Sequence, residues 1–264
     1  MISTAEQRPV GPLLRQWRER RRYSQQELSD RSDISTRHVS RVETGKAHPT
    51  AEMIIRLADH LEVPLRDRNQ LLLAAGYAPR YQDQQLDSAG VSVVMDGLRR
   101  LLDAHLPYPA LLLDDHWDVV DSNAGVDPLL AGCAPELLEP PINVIRLSVH
   151  PDGLAPRIVN FDRWTAHLHH QLVARAERTH DPRLEELAVE VESRLRPAGR
   201  PVITGPVLAL ELAVDGGVLR LFSVSSRLTT AADATLEGLH LETFVPADEE
   251  TRRRFALAAT DAGP

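Results

Sequence analysis

Ser24-Gln25-Gln26-Glu27-Leu28-Ser29-Asp30-Arg31-Ser32-Asp33-Ile34-Ser35-Thr36-Arg37-His38-Val39-Ser40-Arg41-Val42-Glu43-Thr44-Gly45-Lys46 is the stretch whose reading decides the fold. Ser24 followed three residues later by Glu27 is a capping box: the hydroxyl accepts from the Glu27 amide while the carboxylate reaches back. A short helix therefore runs from here to about Arg31. Ser32-Asp33-Ile34 makes a tight turn, and Ser35 caps a second short helix to about Thr44. Gly45 supplies the left-handed position that ends it.

Outward from this pair, the remaining short helices follow from period and punctuation. Residues 11–22 set Leu13, Leu14 and Trp17 on one side, with arginines around the rest. Pro49-Thr50 opens a fourth helix carrying Met53, Ile54, Leu57, Ala58 and Leu61 at helical spacing, and a fifth is expected at 67–75, ending at Gly76. Five short helices, the second and third a few residues apart, form a helix-turn-helix arrangement. The run from Ser24 to Lys46 followed by Pro49-Thr50 closely resembles the lambda repressor/Cro-type (XRE) helix-turn-helix family over residues 11–76.

That resemblance implies double-stranded DNA as a partner. Ser35, Thr36, Arg37 and Arg41 stand where the family contacts bases, and a bidentate arginine on guanine discriminates by about 1–3 kcal/mol. Gln25 stands where the family contacts phosphate or an outer base, Lys46 where a phosphate contact is expected, and His38 lies between these positions. Glu43 is out of place beside DNA. The family pairs its counterpart with an arginine of the first helix, here Arg18, which implies a structural ion pair. Leu28, Ile34, Val39 and Val42 are core positions.

Bulk properties agree with a two-part molecule. The chain has 264 residues with 42% hydrophobic and 26% charged content, enough for two small domains. Residues 1–80 carry 14 Lys+Arg against 10 Asp+Glu, a net of +4, and the rest carry 16 against 28, a net of −12. A basic head on an acidic body fits a nucleic-acid-binding module joined to a partner domain. Lone Cys133 has no disulfide partner, and with no signal peptide or apolar run of membrane length the expected location is the cytoplasm.

The expected division is a head at 1–78, a polar linker at 79–91 and a second domain at 92–260. Val91 to Leu106 reads as a helix with Val94, Leu98, Leu101 and Leu102 on one face, suited to carrying dimer contacts. Leu111-Leu112-Leu113 and Trp117-Asp118-Val119-Val120 flank Asp114-Asp115-His116 as a hairpin, and Asn123 caps a short helical piece reaching Leu130. Residues 142–149 fit neither period. Phe161, Trp164, Leu168, Leu172 and Ala176 mark a long helix, and another follows at 183–195. Val207 to Leu212, Asp215-Gly216-Gly217 and Val218 to Phe222 form a hairpin signal, then come a strand at about 235–245 and a helix at 248–258. The expected fold is an all-α five-helix head plus an α+β, PAS-like domain with an antiparallel sheet and helices.

Pro109-Ala110-Leu111 with Trp117-Asp118-Val119-Val120 and Asn123, His150-Pro151 with Asn160-Phe161, and Glu242 to Thr251 resemble the ligand-binding domain of MmyB-like transcription regulators over about 92–258. The resemblance implies a sequence-specific DNA-binding regulator whose apolar cavity favours a hydrophobic small molecule such as an acyl chain, and a homodimer is expected because one short helix reads few base pairs. Trp117, Phe161, Trp164, Leu210 and Phe222 are the candidate lining residues, and packed core is the competing reading for each. The alternative function is a regulator whose second domain binds a protein partner and no small molecule.

Enzymatic chemistry finds little support. His167, His169 and His170 are better read as a solvated helix face than as metal ligands, since no second motif completes a tetrahedron. Cys133 has no basic or acidic partner by motif, and Asp114, Asp115, Asp118 and Asp121 read as turn and edge residues. No phosphate-binding glycine loop or nucleophile elbow occurs. The expectation is no catalytic residue, no metal and no cofactor.

Overall fold

A computed structural model describes residues 9–86, 88–195, 207–229 and 231–261. In chain order the elements are α1 (Val10–Arg20), α2 (Gln25–Ser32), α3 (Thr36–Glu43), α4 (Ala51–His60), α5 (Leu65–Ala74), α6 (Ala89–Ala104), β1 (Ala110–Leu113) and β2 (Val119–Ser122). There follow α7 (Asp127–Leu130), α8 (Val144–Val149), α9 (Phe161–Thr179), α10 (Pro182–Glu192), β3 (Leu210–Val214), β4 (Gly217–Arg227), the single turn α11 (Ala234–Glu237), β5 (His240–Pro246) and α12 (Glu249–Asp261). They divide into two compact units: residues 1–88 with 229–237, and residues 89–228 with 238–264. No helix of the described residues is long and apolar enough to cross a membrane.

In the first unit α2, α3 and α4 each start on their own cap. Ser24 Oγ accepts from the Glu27 amide at 3.1 Å, and the Glu27 carboxylate accepts from the Ser24 amide at 2.7 Å. Ser35 and Thr50 accept from His38 and Met53. Asp33, at φ 54°, turns the chain between α2 and α3, and buried Ile34 anchors that turn. Leu14, Trp17, Leu28, Val39, Val42, Ile54, Leu57 and Leu72 close one core. A Cβ on Gly11 would sit 2.3 Å from the Val42 carbonyl oxygen, so only glycine lets α1 lie against the end of α3.

The boundary differs from the one read in the sequence. Residues 79–88, expected as linker, are part of the first unit. Asn69 Oδ1 accepts from the Arg80 and Tyr81 amides, each at 3.0 Å, and its Nδ2 donates to the Tyr81 carbonyl. Thr229–Glu237 joins the same unit although it connects β4 to β5. Gln82 pairs with Asp233 as an isolated parallel bridge, Thr235 Oγ1 donates to the Gln84 carbonyl at 2.6 Å, and the Glu237 carboxylate accepts from the Leu65 amide at 2.7 Å, capping α5. The strand expected at 235–245 therefore begins five residues later, because α11 takes its first residues.

The second unit is a five-stranded antiparallel sheet in the order β2-β1-β5-β4-β3 with helices on it. Gly216, at φ 78°, makes the two-residue turn that joins β3 to β4. The ambiguous segment 142–149 is settled as α8, because Asn143 caps it through the Arg146 amide at 3.0 Å. On α9, Trp164, Leu168, Leu172 and Ala176 are buried as their spacing requires. On α6 the buried residues are Val91, Leu98 and Leu102, whereas Leu101 and Val93 stand 56% and 72% exposed. The expected apolar face of α6 is thus split in two, with Leu101 on the open side.

Candidate functional site

Two surfaces carry chemistry, one in each unit. In the first, α3 buries Val39, Val42 and Glu43 and turns Thr36, Arg37, Ser40, Arg41 and Thr44 outward. Arg37 and Arg41 lie one turn apart on this row and are exposed. Arg41 Nη2 donates to the Lys46 carbonyl at 3.3 Å, which steadies the turn that presents the exposed Lys46.

What holds this row in place is buried beneath it. Arg18 donates from Nε and Nη2 to the two Glu43 oxygens at 2.7 and 2.9 Å, and from Nη1 to the Tyr23 carbonyl at 2.7 Å. Arg18 is 8% exposed and Glu43 6%. Fork geometry of this kind fixes direction as well as distance. It fastens α1 to the C-terminal end of α3, so the carboxylate points into the protein and away from the exposed row. The hydrogen bond to Glu43 raises the Arg18 pKa above its ordinary value, ahead of the opposing effect of burial.

Gln25 is more engaged than the sequence implies. Its Nε2 donates to Glu43 Oε2 at 2.8 Å, which extends the buried pair to α2. Ser35 spends its hydroxyl on the cap of α3, and Thr36 Oγ1 donates to Gln26 Oε1 at 2.8 Å. His38 is half-buried between them. Gln26 and Ser40 escaped the sequence reading. Ser40 lies four residues after Thr36, a spacing that would have placed it on the same row, but Gln26 joins it only through the α2–α3 crossing.

In the second unit the inner face of the sheet changes character along its length. Side chains two apart share a face, so Leu219, Leu221, Ser223, Ser225 and Arg227 of β4 point the same way. Their cross-strand partners are Phe244 for Ser223, Glu242 for Ser225 and His240 for Arg227. The face is apolar at one end and cationic at the other. Over the apolar end lies a chamber of about 110 Å³ lined by Leu111, Val126, Leu129, Ile145, Leu210 and Phe244 among others. A cleft of about 610 Å³ lies over the polar end, bounded by Arg175, Arg178, Arg227, His170, His240 and Phe222. Trp117, Trp164, His167, Gln171, Ser223 and Glu242 line both.

Of the five lining residues expected from sequence, Trp117 and Trp164 stand at the junction, Leu210 in the chamber and Phe222 in the cleft. Phe161 lines neither. It borders a separate outer groove with Pro151 and Val159, one turn before Trp164 at the start of α9. The polar lining was missed, although Ser223-x-Ser225-x-Arg227 following Leu219-x-Leu221 announces it.

Burial shifts the titrating groups here. Desolvation raises the Glu242 carboxyl above its ordinary value and lowers His167. His240 is lowered to about 4, first by burial and then by the charges of Arg175 and Arg227. Arg175 is lowered to about 9, first by burial and then by Arg227 and Arg178, while it pairs with Asp115 and stacks 4.8 Å over Trp117. At the rim, His116 is raised by hydrogen bonds to Asp114 and Asp181.

Residues 94–258 match the family model of the MmyB-like transcription regulator ligand binding domain, and residues 14–67 match a helix-turn-helix family model. No curated protein matches the chain.

Proposed function

The chain belongs to the MmyB-like transcription regulators, and from that premise we propose that it binds operator DNA as a homodimer whose affinity responds to an apolar small molecule. The observation that carries this is the chamber: a space between α9 and the sheet with apolar walls and two tryptophans at its mouth. A filled core is what the protein-partner alternative requires, so the chamber favours a small molecule. Its walls and half-buried polar mouth also fit the PAS-like sensor expected from sequence.

Arg37 and Arg41 read base edges in the major groove, and Lys46 meets phosphate. One short helix reads few base pairs, so two heads bind half-sites about 34 Å apart. The open side of α6, with Val93 and Leu101 eight residues apart on one row, supplies the dimer face. Native mass spectrometry of the gently purified protein tests this. Two chains with a retained small molecule are expected, and Leu101→Glu should yield single chains. A wild-type protein that is a single chain, or that carries no small molecule, contradicts the respective half of the proposal.

A ligand shifts an equilibrium only by preferring one of two arrangements. The path from chamber to head is covalent: β4 and β5 line the chamber, and the segment joining them is fastened to α5 within the first unit. A triple replacement of Asp233, Thr235 and Glu237 by alanine releases that segment. DNA affinity and ligand affinity should each persist, while the effect of ligand on DNA affinity, followed by fluorescence anisotropy, should vanish. An undiminished ligand effect would remove the segment from the pathway.

A further inference from the structure

Resting on the reading of the second domain as a small-molecule sensor, we propose that its divided cavity takes a compact apolar acid. An aromatic or short branched group fills the chamber, and a carboxylate lies in the cleft toward Arg175, Arg227 and the Trp164 indole.

Size argues for the compact group. The chamber holds about 110 Å³. An apolar cavity of about 150 Å³ accepts benzene. Beyond the junction the walls are mixed, and a long alkyl chain continuing there past Leu208 and Phe222 would also desolvate Arg178, Ser225 and His170.

Charge argues for the acid. Arg175, Arg178 and Arg227 line the cleft, and the one carboxyl among its described lining residues, Glu242, is driven by burial toward its neutral form. Arg175 and Arg227 both approach Asp115. Asp114 and Asp181 also act on Arg175, but each is engaged with His116. Burial is the first cause of the lowered Arg175 pKa, and the charges of Arg227 and Arg178 add to it. An entering carboxylate would offset those charges.

An orphaned atom points the same way. Trp164 Nε1 is buried without a hydrogen-bond partner among the described residues, on a residue only 6% exposed that lines the cleft. A buried indole N–H without an acceptor is costly, and a native protein usually satisfies it. A carboxylate has acceptor sites to spare for the indole and for a guanidinium together.

Isothermal titration of the full chain tests the assignment with three probes: phenylacetate, its neutral counterpart 2-phenylethanol, and dodecanoate. Phenylacetate should bind at least tenfold more tightly than 2-phenylethanol and more tightly than dodecanoate. Arg175→Met should abolish the preference for the acid, so that phenylacetate binds no more tightly than 2-phenylethanol. Arg227→Gln lies at the exposed end of β4, away from the core, and should reduce the preference severalfold even if Arg175→Met folds poorly. Equal binding of the acid and the alcohol, or a preference untouched by Arg227→Gln in a folded protein, overturns the carboxylate assignment. Tighter binding of dodecanoate overturns the compact group. If no probe binds, the small-molecule reading itself fails, and this assignment with it.

Discussion

Glu43→Ala should destabilise the first unit by about 3–5 kcal/mol, the usual result of removing one partner from a buried ion pair. The carboxylate accepts two hydrogen bonds from buried Arg18 and one from half-buried Gln25. Arg18 would keep its bond to the Tyr23 carbonyl and its longer approach to the Glu19 carboxylate at 3.7 Å. Amide exchange at Val39 and Val42 in the full chain, under native conditions, reads the loss locally. Replacing both partners, as Arg18→Met with Glu43→Leu, should recover most of it, because an apolar pair of similar volume carries no desolvation cost. Base preference should change less than stability does. A Glu43→Ala protein with normal amide protection and a new operator preference would show that the carboxylate takes part in recognition.

Arg37→Ala and Lys46→Ala should weaken DNA binding in different ways. Loss of a bidentate contact to guanine costs about 1–3 kcal/mol at one base pair, so Arg37→Ala should relax discrimination there while binding to unrelated duplexes falls little. Lys46 lies beyond α3 in the turn held by Arg41, where the proposed docking gives it phosphate and not base edges. Its removal should weaken binding about equally on all sequences and reduce the salt slope by about 1. Selection of binding sites from a random duplex pool, followed by titration at several salt concentrations, separates the two. If both variants lost specificity alike, the division of roles between reading and anchoring would be wrong.

The head was largely legible because its signals are local. Capping at Ser24, Ser35 and Thr50 and the apolar spacings of α1 and α4 each act within a turn or two of the chain. The Arg18–Glu43 partnership was legible for another reason: a charge beside DNA needed an explanation, and resemblance provided the partner. In the second unit the hairpins at 111–120 and 207–222 declared themselves through turn residues and alternation.

Other features stayed hidden because their cause lies far away in the chain. Residues 79–88 look like linker, being polar and aperiodic, yet Asn69 and Asp233 hold their backbone in place. Leu101 reads as part of an apolar stripe, but the hydrophobic period of a helix does not say how wide a face its neighbours will cover. Phe161 shares the spacing of the α9 core residues and still misses the chamber, because the helix begins there, beyond the space enclosed by the sheet.

By itself the sequence determined most elements of this protein, the order in which they follow and the exposed row of α3, since capping, turn chemistry and periodicity operate over a few residues. Only the tertiary structure decided that β4 and β5 bring serines, an arginine, a glutamate and a histidine together opposite α9, and that the segment between those strands is packed into the first unit. Pairing across strands and docking of a loop depend on which distant surfaces are left to bury and which polar groups are left to satisfy, and that is known only once the whole chain has folded.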